Sequence, residues 1–273
     1  MEFTGDARAI PKQLEPFYVS SAEHVDLSIR IVSGKGGMEQ GETILLHNNE
    51  LNVYEGESRW HLEFPPFDNV TGVYIDKDLR HAEIRIRYEE ERIPLRENLF
   101  HVLRHMFLLK AQSLGLFAIH SASILYRGKA YLFSGPSGTG KSTHTALWHE
   151  AFGTEYLNGD LNLLSDEGIV YGIPWCGTSE LFTVKEYPLG GIVFLKQAKD
   201  DRVEVLEGDQ KSLRIAQRLI SPTYNKEQLE ENLGFSVRLG AQIPCWRLFC
   251  TKNVSAAELM KNTIDRYWNR SFL

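Results

Sequence analysis

The sequence lacks long hydrophobic runs, contains few cysteines, and has fewer basic than acidic residues. Its longest apolar segments, such as residues 106–109, fall far short of the roughly 18 residues that a membrane-spanning helix needs. No apolar stretch of signal-peptide length occurs near its beginning. The three cysteines, Cys176, Cys245 and Cys250, have no C-x-x-C spacing, which argues against a disulfide framework and against a zinc site.

Basic residues are outnumbered, with 30 Lys and Arg against 36 Asp and Glu and a net charge of −6. This balance argues against non-specific binding to nucleic acid or to an acidic membrane surface, because such binding requires excess positive charge. Together these absences predict a cytoplasmic protein with no nucleic-acid partner and no membrane association. A length of 273 residues with 42% hydrophobic residues allows one large domain or two smaller ones.

The first 95 residues have the pattern of a β-rich module. Apolar and polar residues alternate over 25–31 and 83–88, which is typical of strands with one solvated face. Further strands are predicted at 43–47, 51–54, 60–64 and 70–75. No nucleotide motif occurs here, so this region is predicted to be structural or to dock a substrate.

From residue 96 onward the pattern predicts an α/β (α+β) domain. An amphipathic helix over 96–113 precedes short β-runs that are mixed with helices. Strands are predicted at 117–125, 130–133, 169–173, 191–195, 203–206 and 246–250, and helices at 142–152, 210–220, 226–239 and 256–268. We therefore place the domain boundary at 95/96, with 1–95 as one region and 96–273 as the other.

Residues 135–143, GPSGTGKST, are the most informative segment of the chain. They fit G-x-x-x-x-G-K-[ST], a loop whose backbone N–H groups surround the phosphates of a nucleotide. A predicted strand before it and a predicted helix after it provide the expected context, with the helix N-terminus facing the anion. Lys141 brings positive charge to the terminal phosphates, and the Ser142 hydroxyl is a candidate ligand for Mg²⁺.

A phosphate loop does not by itself define a reaction. Ordinary P-loop NTPases also carry an apolar strand that ends in Asp, but here the comparable strand is followed by Lys196. The nearest candidate carboxylate is Asp160 in LNGD, 19 residues after Lys141, and His120 in AIHSAS lies shortly before the loop. These residues are predicted to converge at one edge of a sheet.

His120, the loop and Asp160 together resemble the C-terminal kinase domain of HPr kinase/phosphorylase. They also resemble the ATP-dependent phosphoenolpyruvate carboxykinases, which share that P-loop fold. The resemblance covers residues 117–165 well, is looser towards the C-terminus, where it points to smaller bacterial HPr-kinase-related proteins, and does not extend to the first 95 residues.

The resemblance implies a role for each matching residue. The phosphates would be held by Gly135, Ser137, Gly138, Thr139, Gly140 and Lys141. Ser142 would bind Mg²⁺, with Thr143 as a second candidate. Asp160 would be the general base or a metal ligand, and His120 would lie beside the γ-phosphate or the metal. HPr kinases are oligomers, so the resemblance also implies a homo-oligomer.

One position departs from the family pattern. Leu161 stands where the family has the second Asp of a pair, so that Asp160 has both roles, or Glu180 or Asp166 substitutes, or catalysis is weak. Residues 172–180, GIPWCGTSE, form a predicted loop in which Thr178 and Glu180 are candidates for substrate contact. Arg202, Arg214 and Arg218 are candidates for charge stabilisation, among which the sequence does not choose.

The sequence therefore predicts an ATP- and Mg²⁺-dependent kinase that phosphorylates a hydroxyl group, most simply Ser or Thr of a protein or peptide. A small-molecule acceptor is an alternative, and so is a nucleotide-binding regulator that has lost phosphoryl transfer. Carboxykinase-like lyase chemistry is disfavoured because the chain is short and has no clear second metal cluster.

Overall fold

The structure is a computed structural model that describes residues 1–5, 9–87 and 92–270. The chain divides into two compact units, one of residues 1–114 with 222–229 and one of residues 115–221 with 230–273. The helix predicted at 96–113 thus groups with the first unit, so that this division falls at 114/115 instead of at 95/96. Tyr88, the last residue of one predicted strand, lies outside the described residues.

The first unit contains a seven-stranded sheet and one long helix. The strands are β1 (Glu2–Gly5), β2 (Ser28–Ser33), β3 (Thr43–His47), β4 (Asn52–Glu55), β5 (Arg59–Glu63), β6 (Val70–Asp76) and β7 (His81–Ile86), and the helix is α1 (Arg92–Ser113). A 3-10 helix spans Lys12–Phe17. The sheet order is β1-β2-β7-β6-β5-β4-β3, with β1–β2 and β2–β7 parallel and the other pairs antiparallel.

The alternation of side chains gives this sheet an apolar face and a polar face. Val53, Leu62, Val73 and Ile84 are fully buried on the apolar face. The stripe of α1 that was predicted from sequence is also buried, at Leu99, Val102, Leu103, Met106 and Leu109. The period of two in the strands and of 3.6 in the helix therefore correctly identified this core.

The second unit contains eight strands and most of the helices. The strands are β8 (Leu116–Tyr126), β9 (Lys129–Ser134), β10 (Glu155–Asn158), β11 (Leu161–Ser165), β12 (Ile169–Tyr171), β13 (Glu186–Gln197), β14 (Arg202–Leu206) and β15 (Cys245–Cys250). The helices are α2 (Lys141–Phe152), α3 (Asp209–Ala216), α4 (Lys226–Gln242), whose first residues group with the other unit, and α5 (Val254–Arg270).

Two long strands organise this sheet. The second half of β13 lies between β9 and β15, parallel to both, while its first half is antiparallel to β12. Strand β8 is antiparallel to β9 on one side and to β10 and β11 on the other. The pairing β8-β11-β12-β13-β9 therefore returns to β8.

Helices cover both faces of this sheet. Ile192 and Phe194 of β13 belong to a core that includes Ile215 of α3 and Phe235 of α4. Val193, the residue between them, belongs to a second core with, among others, Trp148 of α2 and Met260 and Ile264 of α5. Because β13 is buried on both faces, it reads as a continuous apolar run, which is typical of parallel strands under helices.

The structure confirms a mixed α/β chain with two mixed sheets and several helices, consistent with α+β. Strands β10 and β11 were missed because residues 155–165 contain polar residues and a Gly-Asp turn. The predicted helix at 210–220 ends at Ala216, after which the chain extends alongside β8. In the described part of the chain, no helix is long and apolar enough to cross a membrane.

Candidate active site

The loop GPSGTGKST connects the end of β9 to the beginning of α2. Gly138 and Gly140 have φ angles of +76° and +103°, in the left-handed region that favours glycine. Gly140 caps α2 with no side-chain hydrogen bond, so the first N–H groups of the helix have no cap. A helix N-terminus with free N–H groups and a positive dipole end favours a bound phosphate.

Lys141 extends back over this loop. Its Nζ donates to the carbonyl oxygen of Gly135 at 3.2 Å and lies 3.5 Å from that of Pro136. Burial lowers the pKa of Lys141, and Arg218 lowers it further, whereas Asp160 opposes the shift. The ammonium group therefore lies close enough to Asp160 and Arg218 to interact with both.

His120 and Asp160 form a pair beside the loop. Leu161 is the register partner of His120 between β8 and β11, and Asp160 immediately precedes Leu161. The His120 Nδ1 lies 3.3 Å from the Asp160 Oδ1, with the two side chains 29% and 34% exposed. Ser134, the last residue before the loop, donates its hydroxyl to the His120 carbonyl at 2.7 Å. Both side chains therefore remain accessible to a substrate.

Burial and the neighbouring charges together shift the pKa of His120. Burial lowers the pKa of His120, and Lys141 and Arg218 lower it further, while Asp160 acts in the opposite direction. An imidazole whose pKa lies below its ordinary value is neutral at physiological pH. His120 can therefore donate or accept a hydrogen bond here without adding positive charge.

Arg218 flanks His120 from the segment that follows α3. The His120 N–H donates to the Arg218 carbonyl at 2.9 Å, and the Ile220 N–H donates to Ala118 at 2.9 Å. Burial lowers the pKa of Arg218, and so does the neighbouring Arg214. Arg218 was one of three candidate arginines in the sequence, and the structure brings this one next to His120.

A cavity of about 520 Å³ opens between the loop, the end of β13 and α3. Residues 135–139 and 194–197 form two of its walls, and Arg214, Arg218 and Arg247 complete it. Arg202 is not among its lining residues, and its guanidinium lies 3.5 Å above the Phe249 ring.

Gln197, at the end of β13, contacts the loop directly. Its amide Nε2 donates to the Gly138 carbonyl at 2.9 Å. The strand beside the loop strand thus ends in Lys196 and Gln197, where ordinary P-loop NTPases have a carboxylate. The sequence showed that the carboxylate was missing, but it held no signal that Gln197 contacts the loop or that Arg247 and Lys196 line the cavity.

The predicted substrate loop passes close to Asp160. A Cβ added to Gly177 would lie 2.9 Å from the Asp160 Cβ, and the Gly159 N–H donates to Leu181 at 3.1 Å. Burial raises the pKa of the Cys176 thiol, and Glu180 and Asp160 raise it further. Thr178 and Glu180 are both exposed in this segment. The structure therefore brings residues 176–180 near Asp160, but it places no direct contact between Glu180 and Asp160.

Two of the carboxylate alternatives can be distinguished by position. Asp166 follows the far end of β11, a strand of five residues that spans about 16 Å, and it pairs with Arg238 at 2.9 Å. Asp166 therefore lies too far from Asp160 to substitute for the missing family carboxylate. Leu161 is 1% exposed, so its side chain lies in the core. Glu180 is the remaining alternative beside Asp160.

The residues at the loop fit a hard divalent cation. Ser142 and Thr143 are exposed in the first turn of α2, and the Asp160 carboxylate is accessible. Hydroxyl and carboxylate oxygens are the ligands that Mg²⁺ prefers, and it is usually held by a few protein oxygens together with substrate phosphates.

The predicted site residues thus lie at one edge of the second unit. His120, Lys141 and Asp160 interact with one another, the loop residues Gly135, Ser137, Gly138 and Thr139 line the cavity, and Gly140, Ser142 and Thr143 begin α2. No protein-family model matches the chain, and no curated protein matches its sequence.

Proposed function

We propose that this chain is an ATP-dependent kinase of the HPr-kinase type, which transfers the γ-phosphoryl group to a hydroxyl acceptor. The observation that carries the proposal is the accessible His120–Asp160 pair, 3.3 Å apart, next to the phosphate loop and its Lys141. Phosphoryl transfer needs an oriented nucleophile and positive charge around the moving group, and these residues supply both.

In this proposal the loop N–H groups and the first turn of α2 bind the β- and γ-phosphates. Lys141 and Arg218 stabilise negative charge on the transferred group. Mg²⁺, held by Ser142 and Asp160, would neutralise the phosphate oxygens. The neutral His120 holds Asp160 in position or donates to a γ-phosphate oxygen.

Asp160 accepts the proton of the acceptor hydroxyl while the hydroxyl oxygen bonds to the γ-phosphorus. The bond from the γ-phosphorus to its bridging oxygen breaks, and ADP leaves with that electron pair. Ser or Thr of a protein or peptide is the proposed acceptor. The cytoplasm is the proposed location, because ATP and Mg²⁺ are both abundant there.

The test compares ATP binding with ATP turnover. Titration calorimetry measures MgATP binding, and [γ-³²P]ATP measures release of phosphate and labelling of added protein, peptide and small-molecule hydroxyl compounds. Lys141→Ala is expected to weaken nucleotide binding by more than about tenfold. Asp160→Asn is expected to keep binding and to lower turnover by about 10²–10⁴-fold.

Asp166→Asn is the matched control, since it removes a carboxylate at the other end of β11. Equal turnover in wild type and Asp160→Asn would contradict the proposal. Tight MgATP binding with no turnover for any acceptor would support the regulator instead, for which the buried Leu161 is the structural argument.

A further inference from the structure

The cavity beside the loop is lined by positive charge. Among the described residues that line it, the charged ones are Lys196, Arg214, Arg218 and Arg247, and none is acidic. Ligand cavities of 300–1,000 Å³ are typical of small-molecule sites, and this cavity of about 520 Å³ lies within that range.

Most of these cations lack an acidic partner among the described residues. The Arg214 Nη1 donates to the neutral amide oxygen of Gln217 at 3.3 Å. Lys196 lies 5.3 Å from the centre of the Phe249 ring. Only Arg247 pairs with a carboxylate, that of Glu204, at 3.3 Å.

Like charges are held close together here. Arg214 lies in the last turn of α3, and Arg218 lies in the turn that follows, where its N–H donates to the Ile215 carbonyl at 2.9 Å. Both side chains line the cavity, so two positive charges face the same space. Burial lowers the pKa of Arg218, and the positive charge of Arg214 lowers it further, which is the direction that neighbouring like charges produce. Such an arrangement is stabilised when an anion binds between the two guanidinium groups.

A magnesium-bound triphosphate does not account for all of this charge. About two negative charges remain on such a nucleotide once the cation is bound, and Lys141 and Arg218 already offset them. Arg214, Lys196 and Arg247 also line the cavity. Arg214 and Lys196 have no acidic partner among the described residues and therefore remain available for a second anion, while Arg247 would share its charge between that anion and Glu204.

We propose that this cavity binds an anionic group of the phosphoryl acceptor, either a carboxylate or a phosphate. The proposal rests on the proposed kinase function, in which the acceptor hydroxyl meets the γ-phosphate between Asp160 and Arg218. Because Arg218 lines both the cavity and the surroundings of His120, the anionic group lies close to the hydroxyl that is phosphorylated. Arg214 and Arg247 are the specificity residues for this group.

Titration calorimetry with inorganic phosphate and with succinate tests this proposal. Each anion is added to the full chain after saturation with Mg²⁺ and the non-hydrolysable analogue AMP-PNP. We expect one anion to bind with the nucleotide site filled, and Arg214→Gln with Arg247→Gln to weaken it by at least about tenfold. Phosphate alone would indicate a phosphorylated acceptor, and succinate alone a carboxylate.

Arg266→Gln is the charge-matched control, because Arg266 is exposed on α5 and does not line the cavity. It is expected to leave anion binding unchanged, and circular dichroism checks that each variant folds. The proposal is overturned if neither anion binds beside AMP-PNP. It is also overturned if the arginine variants weaken AMP-PNP as much as they weaken the anion.

A failure of the kinase proposal gives a different result. If wild-type protein binds no AMP-PNP, the loop is not a nucleotide site, and the anions are titrated without nucleotide into wild type and Lys141→Ala. Anion binding that survives Lys141→Ala but not Arg214→Gln supports the cavity as an anion site. Binding that depends on Lys141 alone overturns it.

Discussion

Each unit contains a histidine paired with a carboxylate, and the two pairs differ in accessibility. In the first unit His61 lies 3.1 Å from Glu42, with side chains 0% and 2% exposed. In the second unit His120 lies 3.3 Å from Asp160, with about a third of each side chain exposed. The two pairs have the same chemistry but different access to a substrate.

The surroundings of His61 explain its burial. Its ring is stacked between Tyr54 and Tyr74, with ring centres 5.1 Å and 4.5 Å away. The Glu42 carboxylate also accepts the Glu39 N–H at 2.9 Å, and Tyr74 exchanges hydrogen bonds with Gly37. Strand interiors and a covering segment enclose this pair, so it stabilises the polar face of the sheet.

The surroundings of His120 have the opposite character. Its pair is formed by His120 in the middle of β8 and Asp160 just before β11, next to Ser134 at the end of β9, and its charged neighbours are Lys141 and Arg218. Buried pairs in strand interiors are typical of structural roles, whereas accessible ones beside a cavity with perturbed pKa values are typical of functional sites. Neither a histidine–carboxylate contact nor its exposure is distinctive alone, because His81 and Asp76 of the first unit also lie 3.5 Å apart and are more exposed. The His120–Asp160 pair differs in its position beside residues 135–143, with Lys141 and Arg218 as charged neighbours.

Substituting the histidine of each pair in turn is expected to give the largest effects. His120→Gln should lower ATP turnover by about 10²-fold with an unchanged unfolding midpoint, because its side chain is partly exposed. His61→Ala should lower the free energy of unfolding by about 3–4 kcal/mol, because it leaves a cavity and an unpaired buried carboxylate.

The free energy of unfolding of both variants is measured in urea, with tryptophan fluorescence as the signal. Trp60 contributes to this signal from the first unit. Turnover is measured without urea, at a temperature at which His61→Ala remains folded. His47→Ala, on an exposed strand position, is the control. Loss of turnover with His61→Ala in a folded protein would contradict a structural role for that pair.

His144 sharpens the comparison, because it is buried in the second unit without a carboxylate contact. It is 1% exposed, and neither ring nitrogen makes a hydrogen bond of ordinary distance and angle among the described residues, although the Thr251 backbone lies close enough to raise the pKa of the ring slightly. Burial lowers the pKa of His144 to about 4, although Asp201 opposes the shift.

The unfolded chain therefore binds a proton at this histidine below about pH 6.5, whereas the folded protein does so only near pH 4. The free energy of unfolding should fall as pH falls through this window, by up to roughly 3 kcal/mol from His144. Urea unfolding at pH 7, 6, 5 and 4 measures the slope. His144→Leu should flatten it, and an unchanged slope in this variant would contradict the assignment.

The smallest expected effect concerns Gln197, whose side chain contacts the loop beside the accessible His120–Asp160 pair. Gln197→Ala removes the bond to the Gly138 carbonyl and should weaken MgATP binding by about three- to tenfold, with little change in stability. Calorimetric titration measures this change. Gln242→Ala, on an exposed position at the end of α4, should bind MgATP like wild type. A variant at Gln197 with unchanged affinity would show that the loop keeps its shape without this bond.

Much of the fold could be predicted because local patterns carried it. The strand at 43–47 has the predicted bounds, and the helix after the loop begins within one residue of its prediction. Strands β10 and β11 could not be predicted, because the side-chain N–H groups of their polar residues Asn158 and Asn162 are satisfied by distant partners, although the Asn158 Oδ1 accepts locally from Asp160 and Leu161. Asn158 donates to Ile173, and Asn162 to Ser121, so their burial depends on tertiary pairing.

The sequence by itself determined the glycine-rich loop at 135–143, since the glycine spacing and Lys141 are a local pattern. It also indicated His120 and Asp160 through their positions relative to that loop. Only the tertiary structure decided between Arg202 and Arg218, excluded Asp166, and assembled the cavity with Arg214 and Arg247. The physical reason is that these side chains come from separate strands and helices, and strand pairing alone determines which of them meet.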